Sequence, residues 1–471
     1  MRFYGRFGDQ VSVIHSKMSA GERYDQMERA KRGEISIMIG PRSAVFTPFQ
    51  DLGMIIIDEE HEGSYKSETT PKYHAREVAK KRCEMSGASL VLGSATPSIE
   101  SYFKASCGEY ELLRLLNRVN DQNLAAVQVV DLRKELKEGN RSVISRALKV
   151  QMQEALEMGG QIILFLNRRG HTGFISCRSC GQVLKCPHCD VSLTLHKDGR
   201  MRCHYCGYEQ MSVQNCPACG SPYIGGFRAG TQAMEEVVQK EFPNAKILRM
   251  DMDTTRKKGS YEEILESFAK READILIGTQ MIVKGHDFPG VTLVGVLLAD
   301  LSLHASDYMA AERTFQLLTQ AVGRAGRGLD PGNAVIQTYQ PEHYAVQKAA
   351  AQDYEGFYEL EIAYRDLMSY PPMSGMLAML LQSADEALLE AEAEKIKKRI
   401  LDMDIPLLRV TGPAPAVISK LSDIYRRVIY LKHEDTKELY RVREMIDGAV
   451  KNEIIHKEIR VEFDENPLYV Y

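Results

Sequence analysis

Residues 55–61 read Ile55-Ile56-Ile57-Asp58-Glu59-Glu60-His61. A short run of β-branched residues ending in carboxylates has the pattern of a buried parallel strand, and the carboxyl end of such a strand is where an open α/β sheet presents its ligand-facing groups. There an Asp can hold Mg²⁺ and the next Glu can orient an attacking water. The segments around it alternate in type. Val11 to His15 reads as a strand. Ser19 to Gly33 reads as a helix, with Ser19 as N-cap, Glu22 three residues on and Gly33 beyond the end. Ile35 to Ile39 is a further strand, and Leu90-Val91-Leu92 runs into Gly93-Ser94-Ala95-Thr96-Pro97. Strand, helix, strand is the grammar of an α/β sheet.

Far downstream lies Gln316-Leu-Leu-Thr-Gln-Ala-Val-Gly-Arg-Ala-Gly-Arg-Gly328. It spaces Gln320, Arg324 and Arg327 by four and three, offsets that share one face of a helix. Two neighbouring guanidiniums repel unless an anion lies between them, and a transferring γ-phosphoryl group is such an anion. The bland alternative is an exposed basic turn where a helix ends. Asp274 to Ile277 is a strand leading into Gly278-Thr279-Gln280. Val291 to Asp300 is the next strand. The residues from 345 onward suggest a small α+β domain, with a helix from Tyr354 to Met368 and another from Ser383, read as its N-cap, to Met403. Val410 to Pro415 reads as a turn, and Tyr425 to Leu431 as an exposed strand with Arg426, Arg427 and Lys432 on a basic face.

Eight of the ten cysteines form pairs, Cys177/Cys180, Cys186/Cys189, Cys203/Cys206 and Cys216/Cys219. Four Cys-x-x-Cys pairs make two tetrahedral Cys₄ zinc sites. Val191, Leu193 and Leu195 alternate before the turn Lys197-Asp198-Gly199, so a hairpin brings Cys186/Cys189 to Cys203/Cys206. The outer pairs then close a second site. With all positions filled by sulfur, both ions are structural. Cys83 and Cys107 fall outside the pattern and are expected in the core.

The 471 residues carry a net charge of −4, with 44% apolar and 26% charged residues. That composition is globular and long enough for about three domains, and any nucleic-acid contact must come from local basic patches. No apolar run reaches the ~18 residues that span a bilayer. With no signal-peptide pattern, the expected setting is a reducing cytoplasm, where paired cysteines favour metal over disulfide.

These stretches together resemble a superfamily 2 helicase. Asp58-Glu59-Glu60-His61 looks like motif II, Ser94-Ala95-Thr96 like motif III, and Gln320 to Arg327 like motif VI. With the cysteine pairs inserted between the two halves, the match narrows to the PriA family of replication restart helicases and covers nearly the whole chain. The resemblance implies an α/β fold of two RecA-like lobes, the first incomplete (1–110), and a connector (111–175) opening the second lobe (223–342). It further implies an inserted two-zinc module (176–222) and a C-terminal α+β domain (343–471) that binds DNA and partners. It assigns catalysis to Asp58, Glu59, Gln320, Arg324 and Arg327, and nucleotide coupling to Glu60, His61, Ser94, Thr96, Gly278 and Thr279. Gly40 to Phe46 looks like motif Ib, with Arg42 and Ser43 on the DNA backbone. Glu62 to Arg76 looks like an aromatic-rich loop, in which Tyr65, Lys66, Tyr73, His74 and Arg76 meet DNA. Aromatics interleaved with cations suit stacking on unpaired bases. Gln280 and Lys284, in a stretch like motif V, complete the DNA contacts, and Asn167 to Gly170 resembles motif IV.

No G-x-x-x-x-G-K-[ST] loop occurs in the chain, so Met1 is expected to lie inside lobe 1. The resemblance implies ATP with Mg²⁺ and 3′→5′ unwinding of forked and single-stranded DNA. The implied partners are other primosome proteins, single-stranded-DNA-binding protein and replicative helicase loading factors. The other reading of this chain is a non-catalytic DNA- and protein-binding fragment.

Overall fold

The computed structural model describes all residues except 1, 116–123, 167–174, 190, 197, 227–230, 252–253, 256–258, 280–281, 283–287, 304–306 and 327–331. Two compact units divide the chain. One comprises Met1–Tyr110 with Glu462–Leu468, and the other Glu111–Val461 with Tyr469–Tyr471.

In the first unit the strands Val11–Val13 and Ile37–Ile39 pair in parallel, as do Met54–Asp58 and Ser89–Gly93. The helix Ala20–Lys31 opens on a complete capping box. The Ser19 backbone N–H donates to Glu22 Oε2 at 2.7 Å, and Glu22 N–H donates to Ser19 Oγ at 3.2 Å, which satisfies two donors that a helix start leaves orphaned. Helix Ala75–Ser86 ends on Gly87 in the left-handed region, at φ +70°. A small core gathers Val45, Ile57 and Ala79 with Ile55, Leu90 and Leu92. The strand carrying Asp58 is parallel as expected, but only one of its faces is covered. Ile57 is buried, whereas Met54 is 53% and Ile56 66% exposed.

The second unit is built on a six-stranded parallel sheet. Its spatial order is Ile247–Met250, Ile275–Gly278, Gln161–Phe165, Val291–Val296, Asn333–Thr338, Ala126–Asp131. Gln161–Phe165 is buried at every position, the mark of a central parallel strand with both faces covered. The strand Ala126–Asp131 closes the sheet edge. The residues after it, Leu132–Lys137, are helical. Helices Arg146–Glu157, capped by Ser145, and Thr231–Glu241 bury Leu148, Met152, Met234 and Val238 against the sheet.

Strands Thr194–Leu195, Arg200–Arg202 and Glu209–Met211 form an antiparallel ribbon, and Ile175–Cys177 pairs with Ile224–Gly226 beside it. The C-terminal region pairs Gly375–Ser383 and Arg409–Leu421 on either side of Ile424–His433, with helices Glu386–Leu401 and Thr436–Lys451.

Three local expectations are corrected here. Asp385, not Ser383, caps the helix, accepting from Leu388 N–H at 3.0 Å. Val410 to Pro415 lies within one continuous strand. Tyr425 to Leu431 is a central strand with Val428–Leu431 buried, because cross-strand pairing on both sides outweighs its alternating polar pattern. Its cations are correspondingly engaged. Arg427 pairs with Glu386 at 3.3 Å and Glu390 at 3.7 Å. Lys432 lies 3.4 Å from the Tyr370 ring centroid and donates to Met368 O at 3.2 Å, and burial pulls its pKa down to about 8.

A buried charge cluster anchors the helix Ala310–Val322. Arg365 Nη2 pairs with Glu312 at 2.5 Å, its Nε with Glu361 at 2.8 Å, and its Nη1 donates to Pro371 O at 2.9 Å. Tyr344 OH donates to Glu361 at 2.6 Å. Every strong acceptor around this guanidinium is matched, as a buried charge requires.

Candidate nucleotide site, zinc centres and nucleic-acid surface

The strand Met54–Asp58 delivers three successive carboxylates to one sheet end, and the backbone separates their fates. Glu59 sits at φ +47°, a conformation uncommon outside glycine that clusters at functional sites. Its N–H donates to Asp58 Oδ1 at 3.0 Å. Asp58 and Glu59 are exposed, while Glu60 turns inward and is 2% exposed. Gly93, opposite Asp58 in the register, places the Ser94-Ala95-Thr96 turn beside them. Ser94 Oγ lies 2.7 Å from His61 Nδ1 and accepts from Thr96 N–H at 2.9 Å, and His61 Nδ1 is 3.6 Å from Glu59 Oε2. Thr96 is fully buried, and its hydroxyl has no hydrogen-bond partner among the described residues. Tyr65 OH donates to Asp58 O at 2.8 Å, so the aromatic loop begins on the motif II strand itself.

Glu60 and Arg76 are corrected. Glu60 does not face a ligand. Its carboxylate accepts from Ser98 N–H at 2.6 Å, Ser98 Oγ at 3.1 Å, Ser101 Oγ at 2.8 Å and Arg76 Nη1 at 2.9 Å. Arg76, 3% exposed, also pairs with Glu100. This buried guanidinium ties the strand Met54–Asp58 to the helix Ile99–Ser106 through its Nη1 and Nη2 groups. The sequence carries a signal for this partner helix, the cap pattern Ser98-x-x-Ser101, but none for its target. Arg76→Met should cost about 3–5 kcal/mol, because it strands a buried Glu60 carboxylate. Urea unfolding checks this, and adding Glu60→Gln should recover part of the loss.

Glu100 titrates out of the ordinary range. Burial would raise its pKa, but Arg76 and Lys104 outweigh that and hold it down to about 2. A depressed carboxylate stabilises the fold above its unfolded pKa, near 4.5, and loses that contribution as pH falls toward about 2. The first unit should therefore weaken between pH 4.5 and 2, and Glu100→Gln should flatten that dependence in acid-unfolding curves.

The loop side chains divide. Arg42 is partly buried. Its guanidinium donates to Ser64 O at 3.0 Å and to Lys66 O, and lies 5.6 Å from the Tyr73 ring centroid. Ser43 is exposed beside it, and Phe46, 49% exposed, packs edge-on against Tyr73. His74 caps helix Ala75–Ser86, accepting from Arg76 N–H at 3.2 Å. Burial lowers its pKa to about 3, so it is a neutral helix cap at the position where the resemblance implies a DNA contact. Lys66 is buried and paired with Asp464 at 2.9 Å.

In the second unit, the helix Ala310–Val322 ends two residues before Arg324. Gln320 occupies its last turn, and Arg324 follows in a turn where its N–H donates to Ala321 O at 3.0 Å. The expected common helical face therefore stops at Gln320, because the chain tightens around Gly323. Gly278 closes the strand Ile275–Gly278, and a Cβ there would come within 2.7 Å of Met250 O and Ile282 Cγ2. Thr279 accepts from Ile282 N–H at 3.1 Å. Arg327, Gln280, Lys284 and Asn167 to Gly170 lie outside the described residues.

The cysteines form the two expected groups, Cys177/Cys180/Cys216/Cys219 and Cys186/Cys189/Cys203/Cys206, with all sulfurs of a group within 4.8 Å of one another. Cys177–Cys219 is 3.7 Å, Cys180–Cys216 3.6 Å and Cys186–Cys206 3.5 Å. A tetrahedron with Zn–S bonds of ~2.3 Å has sulfurs ~3.8 Å apart, so each group fits one zinc ion. Outside the groups Cys83 is buried as expected, but Cys107 is exposed.

Three family descriptions match the chain. The PriA DNA helicase Cys-rich region domain covers residues 186–210, the helicase conserved C-terminal domain 227–328, and the primosomal protein N C-terminal domain 366–468. The replication restart protein PriA of Bacillus subtilis is 47% identical over 99% of this chain and 58% of its own length. That of Synechocystis is 42% identical over the whole chain and 57% of its own length, and that of Thermotoga maritima 34% over 96% and 59%. The chain thus spans less than two thirds of the length of these relatives, and over that span it belongs to the PriA family of replication restart proteins.

Proposed function

We propose that this chain carries motor and DNA-handling parts of an ATP-dependent 3′→5′ DNA helicase of the primosome. Such a protein recognises stalled replication forks and starts restart by reloading the replicative helicase. The carrying observation is the pair of exposed carboxylates, Asp58 and Glu59, at the end of the strand Met54–Asp58, with the Ser94-Ala95-Thr96 turn hydrogen-bonded beside them. Asp58 would hold Mg²⁺, and Glu59, linked to His61, would orient the attacking water. Gln320, Arg324 and Arg327 would stabilise charge on the transferring phosphoryl group. His61, Ser94, Thr96, Gly278 and Thr279 would pass the nucleotide state to the DNA contacts. Arg42, Ser43, Tyr65, Tyr73, Gln280 and Lys284 would make those contacts, with Phe46 as an added stacking surface.

The two zinc ions shape the module that meets DNA or other primosome proteins, among them single-stranded-DNA-binding protein and helicase-loading factors. No helix among the described residues is long and apolar enough to cross a membrane, and action at forks places the protein in the bacterial cytoplasm, at the nucleoid.

The test is ATP hydrolysis and strand separation by the chain with and without a forked duplex. Fork-stimulated turnover supports the motor. Fork binding with no turnover supports a non-catalytic DNA- and protein-binding fragment.

A further inference from the structure

Two lysines of the loop between Glu62 and Arg76 are already occupied. Lys66 Nζ pairs with the Asp464 carboxylate at 2.9 Å and donates to Glu465 O at 2.5 Å. Lys72 Nζ lies 3.7 Å from Glu462. The lysine side chains are only 10% and 8% exposed, and all five residues belong to the same compact unit. Glu462 and Asp464 alternate along the strand Arg460–Glu465. Their carboxylates therefore stand on one face, about 6.8 Å apart along the strand. Two anions in a row meet two cations in a row, which is the arrangement a nucleic-acid backbone would present to the same loop.

The loop main chain has its own supports. Arg42 holds the carbonyls of Ser64 and Lys66, and Ser67 N–H donates to Tyr73 O at 2.8 Å. The ammonium groups can therefore change partner without the backbone moving. A lysine is a compact charge on a flexible four-carbon stem, suited to such an exchange.

We propose that the acidic strand segment Glu462–Asp464 stands in for the DNA backbone. It occupies Lys66 and Lys72 when no DNA is bound, and it yields them when phosphates arrive. The segment would then set a threshold for DNA engagement, since a strand must outcompete a carboxylate already in place. This rests on reading the loop as a DNA contact. It differs from a plain structural ion pair in one respect: the two ends of the pair act on DNA binding in opposite directions.

The experiment measures binding of the chain to a fluorescent forked duplex and to single-stranded DNA across a salt series, with melting temperatures for every variant. Asp464→Asn, close in shape to the parent residue, should tighten binding about 3- to 10-fold. Lys66→Gln should weaken binding by a similar factor and lower the salt slope by about 1, the signature of one lost phosphate contact. Combining them should reproduce the Lys66→Gln result. Should Asp464→Asn fail to fold, Glu462→Gln carries the same expectation through Lys72. Equal weakening by Asp464→Asn and Lys66→Gln, in step with lowered melting temperatures, would overturn the proposal in favour of a structural latch. A folded Asp464→Asn protein with unchanged affinity would overturn it too. If the parent chain binds no DNA, the loop reading itself falls and takes the proposal with it. If the parent binds and Lys66→Gln alone weakens it, the loop reading survives and the stand-in does not.

Discussion

Glu59→Gln is expected to leave fork binding unchanged while lowering fork-stimulated ATP hydrolysis roughly 100- to 1,000-fold, the scale for removing one positioned general base or charge-orienting group. The substitution keeps the shape of the side chain and removes its charge. Glu59 is exposed and closes no core contact, so stability should move by less than about 0.5 kcal/mol. The left-handed backbone at this position and the Glu59 N–H bond to Asp58 do not involve its carboxylate. A loss of turnover therefore reports on chemistry rather than folding. Turnover within about twofold of the parent, in a protein that binds forks normally, would remove Glu59 from the mechanism.

Cys203→Ser is expected to release one of two zinc ions and to unfold the hairpin around it. A serine hydroxyl is not ionised at neutral pH and makes a poor fourth ligand. Structural zinc sites of this kind contribute on the order of 10 kcal/mol to folding. Cys203 is buried among Leu193, Met201 and Tyr205, in a cluster that also holds Tyr308, Tyr370 and Tyr430. Tyr205 packs edge-on against Tyr430, with ring centroids 4.9 Å apart. Loss of this ion should therefore loosen more than the ribbon. Cys219→Ser in the outer group should also release one ion but leave that cluster intact, because Cys219 is exposed. Metal analysis with limited proteolysis separates the two. Retention of two ions by Cys203→Ser, with the ribbon still protected, would show that the inner group does not need this ligand.

Much of the fold is legible because it is written at short range. The capping box at Ser19 and the strand read at Asp274 to Ile277 each depend on residues a few positions apart. The pairing of cysteines was legible for the same reason, since the alternation from Val191 to Leu195 requires a hairpin and a hairpin joins Cys186/Cys189 to Cys203/Cys206. The misread elements were those whose pattern competes with distant partners. Tyr425 to Leu431 alternates like an exposed strand yet pairs on both sides. The helix holding Gln320 stops before Arg324, although spacing alone would carry it on.

The sequence by itself determined which chemistry is present: acidic residues ending a strand, two arginines spaced by three, and eight thiols in four pairs. Only the tertiary structure decided which of those groups are free to act. Glu60 and Arg76 share the composition of their exposed neighbours, yet Ser98, Glu100 and Ser101 draw them into the interior. Lys66 reads as a loop cation until a segment 399 positions away supplies its partner. The reason is physical. Spacing along the chain sets local conformation, but the availability of a charge depends on burial and on the opposite charges that folding brings beside it.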